Sequence, residues 1–409
     1  MSGIAALVDH LFRHEAGKMV ATLVRVLGLR NVEVAEDVVQ DALCRALEVW
    51  KYRGVPENPS AWLFQAARNR AVDLLRRSRR FDHAARGLSK LPPSGVDEGE
   101  IRDDQLRMMY TCAHPSVPLE GQIAIILKFL CGFSVAEIAQ AFLTSAAAVE
   151  KRLARTRQSM KRDSVLEFPN AKAIPQRLDS IHQALYLLFS EGYHGSHPER
   201  TVREELCAEA LRLASLLAEH PATATPATFA LLSLMCLHAA RLPARIDDAG
   251  SLILLEAQDR SHWSRPLIDL GCRHLTKSAN GGDLTPFHLE AGIAALHAQA
   301  RSFAETDWAG ILKLYSLLYQ LRPTPIVALN RAIAVGRVTG PEEGLRELGR
   351  IRGGRALKRY PFFEAAAGDL HERAGRLLEA ADHFKRALKL ARNESERGVL
   401  ESRLARQRR

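Results

Sequence analysis

Beyond Leu178 apolar residues return every third or fourth position, and no run sustains the two-residue alternation of a strand. Leu178, Ile181, Leu185 and Leu188 keep this spacing, and Leu206, Ala210, Leu213 and Leu217 continue it after Thr201 and Glu204, which are expected to form a capping box. A period near 3.6 residues lines such side chains along one stripe of a helix, and that stripe is buried only against other helices. The expected fold is therefore all-α. The N-terminal segment has the same period. Leu7, Leu11, Val20, Leu23, Val24 and Leu27 mark a first helical stretch, and Val38, Ala42, Ala46 and Trp50 mark a second, with Asn31 expected as its cap. Asn58 is the expected cap of a third helix, PSAWLFQAARNRAVDLLRRSRR. A chain of 409 residues exceeds one small domain. The stretch LSKLPPSGVDEG has linker chemistry, and a second break falls between Phe168 and Pro175, so the expected parts are 1–87, a linker over 88–100, 101–165 and 173–409.

The segment Phe133 to Arg162 predicts a helix-turn-helix. Ser134 and Glu137 form an S-x-x-E capping box for a short helix with Ile138, Ala139 and Phe142 inward. After a turn at Leu143 to Ser145, Val149 and Leu153 face inward on a second helix, leaving Glu150, Lys151, Arg155 and Arg157 outward. Leu143 stands where many such turns have Gly, the residue that adopts a left-handed conformation freely. The six basic residues between Lys151 and Arg162 have no acid among them, and eight basic residues between Arg68 and Lys90 face only Asp73 and Asp82. The net charge of +10 is thus concentrated in two clusters, as phosphate binding requires. A solvated helical hairpin is the bland alternative. Nearer the C-terminus, Gly368, Gly375, Ala380, Phe384 and Ala387 occupy the small and aromatic positions of a tetratricopeptide-type hairpin, and an irregular unit around Ile311 to Leu348 precedes it, with Pro323 closing a helix.

Several function classes have no support. The six cysteines, Cys44, Cys112, Cys131, Cys207, Cys236 and Cys272, form no C-x-x-C pair and read as small buried hydrophobes of a reducing compartment. His10 and His14 with Glu15 have metal-like spacing but lack a third ligand, and His194 and His197 read as loop residues, so no metal or cofactor is expected. No phosphate loop or nucleophile elbow is present, and no catalysis is expected. The N-terminus lacks the pattern of a signal peptide, and the longest apolar run, Phe229 to Leu237, falls short of the roughly 20 residues that span a bilayer. The expectation is a cytoplasmic protein without a membrane partner.

The segments AEDVVQDAL, ENPSAWLFQAARNRAVDLLRR and EIAQAFLTSAAAVEKRLARTR together resemble regions two and four of extracytoplasmic-function bacterial sigma factors. The C-terminal half, with AARLPARIDDAG, LLEAQDRSHW and PTPIVALNRAIAVG, resembles the subgroup carrying a fused domain of tetratricopeptide type. The resemblance implies two partners, core RNA polymerase and promoter DNA. It implies that Glu36, Asp37, Gln40 and Asp41 dock on the polymerase clamp. It implies that Asn58, Ser60, Arg68, Asn69, Arg70, Arg76 and Arg77 hold the melted −10 strand, with Trp62 more consistent with core packing than with base stacking. Glu150, Lys151, Arg152, Arg155, Arg157 and Lys161 would meet the −35 duplex, some reading bases and some anchoring phosphates. The C-terminal half is expected to act as an in-cis regulator, with a regulatory protein or ligand as a possible partner. Glu256, Gln258, Asp259, Arg260, Trp263, His297, Asp307, Asn330 and Arg331 either line a pocket there or serve as caps and inter-helix ion pairs, and the second reading is preferred. Without the resemblance, a helix-turn-helix activator that does not replace sigma, or a helical scaffold, would also fit. An operator binder needs neither the Arg-rich third helix nor the docking helix.

Overall fold

The computed structural model describes residues 2–28, 31–77, 103–162, 173–195, 202–247, 250–351, 357 and 360–406, with some side chains inside these helices excepted. The expected all-α fold is the observed one: among the described residues the elements are helices, and the sole β feature is an isolated antiparallel bridge between Ile246 and Leu252. The chain divides into two compact units, Met1–Leu188 and Phe189–Arg409.

In the first unit α1 (Ser2–Leu27), α2 (Val32–Arg53) and α3 (Pro59–Arg77) pack on one another. Val38, Ala42, Ala46 and Trp50 are buried as their spacing demands, against Leu63, Ala67 and Ala71 of α3. Asn31 departs from expectation. It stands at the N-cap of α2 with no side-chain cap bond; its Nδ2 instead donates to the Leu27 carbonyl at 2.6 Å and satisfies the end of α1. Asn58 does cap α3, its Oδ1 accepting from the Ala61 amide at 2.9 Å.

α4 (Asp104–Cys112), α5 (Leu119–Phe129), α6 (Val135–Ala141) and α7 (Ala146–Arg162) complete the first unit up to the second break. α1 packs directly on α4. Thr22 Oγ1 donates to Asp104 at 3.1 Å and Arg25 pairs with the same carboxylate at 3.1 Å. Gly17 is buried where a Cβ would fall on the backbone carbonyl of Leu130, so only glycine permits that approach. Charge pairs span the same join: Lys128 with Glu36 at 3.4 Å, and Arg157 with Glu33 at 3.7 Å. The first unit runs past the expected boundary near residue 173, because Ile174, Arg177, Leu178 and Ile181 are buried and Arg177 donates to the Tyr110 carbonyl at 2.7 Å.

The second unit begins inside α8 (Leu178–Tyr193) and continues through α9 (Glu204–Glu219), α10 (Pro226–Ala239), α11 (Arg265–Ser278), α12 (Pro286–Gln299), α13 (Trp308–Leu321), α14 (Pro325–Val338), α15 (Pro341–Ile351), α16 (Pro361–Arg373), α17 (Leu377–Leu390) and α18 (Glu394–Arg406). From α9 onward each helix packs on the next, as in a helical-repeat array. The expected hairpin is α16 and α17: Gly368 lets the Phe384 ring approach so closely that a Cβ would lie 2.6 Å from it, and Gly375 takes the turn at φ 75°. The capping box expected at Thr201 does not start α9. Thr201 lies outside the described residues, and the observed N-cap is Arg203, whose buried side chain pairs with Glu191 at 2.5 Å.

The stretch Pro226–Ala244, longer than the apolar run read from sequence, is long and apolar enough to cross a membrane. It is 72% buried, and α10 within it packs on α9, α11 and α12, which makes it the core helix of this unit. Burial pushes the thiols of Cys112, Cys207 and Cys236 up to about 12, whereas the expected burial fails at Cys44, which is exposed, and at Cys272, which is half-buried.

Candidate nucleic-acid interface

The helix-turn-helix is built as its sequence dictates. Ser134 Oγ accepts from the Glu137 amide at 3.2 Å and Glu137 Oε2 accepts from the Ser134 amide at 2.7 Å, so two orphan amides of α6 are satisfied reciprocally. Ile138, Ala139, Val149 and Leu153 are buried between α6 and α7. Between them Leu143 adopts φ 52°, the one non-glycine residue with positive φ among the described residues, and its side chain is exposed. A left-handed conformation costs a non-glycine residue about 1–2 kcal/mol. Leu143→Gly is therefore expected to raise stability by about 1 kcal/mol, after the glycine's own entropic cost is offset; a urea titration with an unchanged or lower midpoint would contradict this.

The turn presents α7 by its N-terminal end. Ser145 Oγ accepts from the Ala148 amide at 3.3 Å, and Thr144, Ser145, Ala146, Ala147 and Ala148 are all exposed. Glu150, Lys151 and Arg155 are exposed on the outward face, and among the described residues they make no hydrogen bond or ion pair. Arg152 and Arg157 lean back onto the protein. Arg152 pairs with Glu120 and lies 5.1 Å over the Phe142 ring, and Arg157 pairs with Glu33 and lies 5.2 Å over the Phe129 ring. The side chain of Lys161 lies outside the described residues.

The candidates for strand binding are split as well. Asn58, Asn69 and Arg70 are exposed, Ser60 and Arg68 are half-buried, and the side chains of Arg76 and Arg77 lie outside the described residues. Asn58 uses its oxygen in the cap, leaving its amide nitrogens to donate, and Asn69 accepts from Gln65 Nε2 at 2.9 Å. Trp62 is half-buried, edge-on to Trp50 with ring centroids 5.4 Å apart. Tyr52 is a further candidate, absent from the expected set. It is 82% exposed, flanked by Lys51, whose ammonium lies 5.5 Å from the ring, and by Arg53, just ahead of the Gly54 loop. The signal was present as an aromatic between two cations, the pattern of a stacking platform.

The acidic candidates on α2 separate into two kinds. Asp37 and Gln40 are exposed and make no hydrogen bond or ion pair among the described residues. Glu36 is held by Lys128, and Asp41 pairs with Arg70 at 3.0 Å, which places the acidic face of α2 beside the basic face of α3. The Asp41–Arg70 pair is exposed and worth little in stability, so it is easily exchanged for a partner's charges, whereas the Glu36–Lys128 pair is half-buried.

In the second unit the polar residues singled out by sequence act mostly as caps and braces. Asp307 caps α13 through the Gly310 amide at 2.8 Å, Asp259 accepts from Ser261, Arg331 pairs with Glu347 at 2.7 Å, and Glu256 pairs with Arg403.

Comparison with known families matches Sigma-70 region 2 over residues 11–81, Sigma-70 region 4 over 107–160, and a family of unknown function, DUF6596, over 177–279. An uncharacterized protein of Rhizobium meliloti is 37% identical over 392 residues, covering 92% of this chain and 90% of that one. The ECF RNA polymerase sigma factor SigL of Mycobacterium tuberculosis is 30% identical over 154 residues, covering 36% of this chain and 84% of its own. No solved structure matches.

Proposed function

The chain belongs to the extracytoplasmic-function family of RNA polymerase sigma factors, and on that premise we propose how its residues divide the work of promoter recognition and what its C-terminal half adds. As a sigma factor it acts with core RNA polymerase on promoter DNA. In our reading Lys151, Arg155 and Glu150 read the −35 duplex from the outward face of α7, while Arg152 and Arg157 hold that helix in place. The observation that carries this is the contrast between three outward side chains without a partner among the described residues and two cations already engaged. Asn58, Ser60, Arg68, Asn69, Arg70, Arg76 and Arg77 serve the melted −10 strand, and Tyr52 offers a ring on which an unstacked base can lie. Asp37 and Gln40 make the first contact with the polymerase clamp, and Glu36 and Asp41 join once their internal pairs exchange.

The second unit, in this reading, is the fused domain of tetratricopeptide type and an in-cis regulator of the first. Its support is that more than half of the chain lies beyond the region-four match and forms its own helical core. Covalent linkage gives such a domain an effective concentration on the order of millimolar against the promoter-reading unit, so a weak interface suffices. A chain ending after Leu188 keeps the whole first unit and is expected to give transcription that differs from the full chain on the same promoter, with the separate second unit partly restoring the original level. Identical transcript yields from the two forms would reduce the second unit to a passive appendage.

A further inference from the structure

The second unit buries arginines in two different ways. Arg203, 2% exposed, lies against Glu191 at 2.5 Å, the arrangement expected of a cation that braces a fold. Arg245 and Arg241 are 3% and 9% exposed, and Arg260 is half-buried beside them, yet among the described residues none of the three meets a carboxylate. Arg245 donates to the Tyr193 carbonyl at 3.0 Å and lies 3.8 Å over the Tyr193 ring. Among the described residues the Arg241 side chain has one long bond, to Gln258 Oε1 at 3.4 Å, and lies 5.4 Å over the Trp263 ring. Arg260 lies 4.6 Å over the same ring and donates to the His297 and Ala300 carbonyls at 2.6 and 2.7 Å.

Ring faces, neutral carbonyls and the His194 ring, whose Nδ1 lies 3.2 Å from Arg245, orient these guanidinium groups without an ion pair among the described residues. The Glu305 carboxylate acts on Arg260 only at longer range, and a buried cation is costly unless an anion meets it. Among the described residues Arg245 Nε and one terminal nitrogen of Arg260 are buried donors without a partner, as Arg203 Nε also is, and His238 Nδ1, a donor or acceptor according to tautomer, is buried without one as well. The histidines in the cluster do not add to the charge. Burial, with the charges of Arg241 and Arg245, pushes His238 down to about 3, and burial with Arg241 and Arg260 does the same to His297. Both are neutral at physiological pH and available as hydrogen-bond partners.

We propose that Arg241, Arg245 and Arg260 form a binding site in the second unit for a small oxyanion, a phosphate or a carboxylate, with Tyr193 and Trp263 holding the guanidinium planes. The planar fork of arginine matches both anions through paired N–H donors. Occupancy does not require polymerase or DNA, so it is measured on the purified full chain, and failure of the promoter assignments would leave it untouched.

The test is thermal unfolding in chloride, inorganic phosphate and succinate at equal ionic strength, with equilibrium dialysis of labelled phosphate and succinate alongside. Phosphate or succinate is expected to raise the Tm with the logarithm of its concentration once that exceeds the Kd, by about 5 °C at a hundredfold excess, and whichever anion does so identifies the class. Arg241→Gln should abolish the shift and raise the Tm of the anion-free chain, because it removes a buried unpaired charge. The variant Arg212→Gln, at a half-buried arginine that is already paired with Glu209, should keep the shift. A bracing role predicts the reverse, a lower anion-free Tm in Arg241→Gln with no anion response in the wild type, and that result overturns the proposal. So does an anion shift that persists in Arg241→Gln. If Arg241→Gln does not fold, dialysis of the wild type decides: stoichiometric uptake of either anion supports the site, and no uptake of both removes it.

Discussion

Replacing Lys151 and Arg155 together by Ala is expected to weaken binding to a −35 duplex at least tenfold, while the chain unfolds at the same urea concentration as the wild type. Both side chains are exposed and engage nothing internal among the described residues, so their loss removes no packing. A base-reading residue contributes about 1–3 kcal/mol and its loss relaxes specificity at one position, whereas a phosphate anchor weakens all sequences alike and lowers the salt slope by about 1. Fluorescence anisotropy across a salt series separates these outcomes. Arg152→Ala and Arg157→Ala should behave differently. Arg157 ties α7 to Glu33 and to the Phe129 ring, so its removal should lower stability first and affinity second. Equal affinity losses in both pairs, with stability unchanged, would show that all four residues face the DNA and that the division is mistaken.

Asp37→Lys is expected to cut co-elution with core polymerase sharply without altering the Tm. The carboxylate is exposed and unpaired among the described residues, so reversal costs the fold nothing and opposes a basic docking surface directly. Glu36→Lys is a less direct probe. Glu36 holds Lys128 of α5, and reversal would set two ammonium groups against each other, loosening the join between α2 and the helix-turn-helix half of the unit. The predicted pattern is thus a pure assembly defect for Asp37→Lys and a mixed assembly and stability defect for Glu36→Lys. Wild-type co-elution of Asp37→Lys would remove the acidic face of α2 from the docking surface.

The parts of this architecture that were legible in sequence are those fixed by local rules. The capping box at Ser134 and Glu137, the burial of Val149 and Leu153, the Asn58 cap and the Gly368 to Phe384 contact all follow from spacings of a few residues within one helix or hairpin. Contacts between distant segments were not legible. Nothing in the local pattern says that Glu33 and Glu36 meet Arg157 and Lys128, that Asp104 closes on Thr22 and Arg25, or that Arg177 reaches Tyr110. These depend on how helices are brought together, and they change the reading of the site, since they separate engaged charges from available ones. Asn31 shows the same limit on a smaller scale: its side chain had two helix ends within reach and satisfied the earlier one. Nothing in the sequence pattern singles out Arg241 and Arg245, and it is their burial without a carboxylate among the described residues that sets them apart from Arg203.

In the proposed function this chain programs core RNA polymerase to start at a defined class of promoter. In vitro transcription on a fragmented genomic template, with purified core polymerase, with and without the full chain, and with sequenced 5′ ends, puts this to the test. New start sites are expected that appear only with the chain, share one −35 and one −10 sequence at fixed spacing, and disappear with the Lys151→Ala, Arg155→Ala variant. Start sites unchanged by the chain, alongside sequence-specific DNA binding in the absence of polymerase, would contradict it and identify an operator-binding regulator instead.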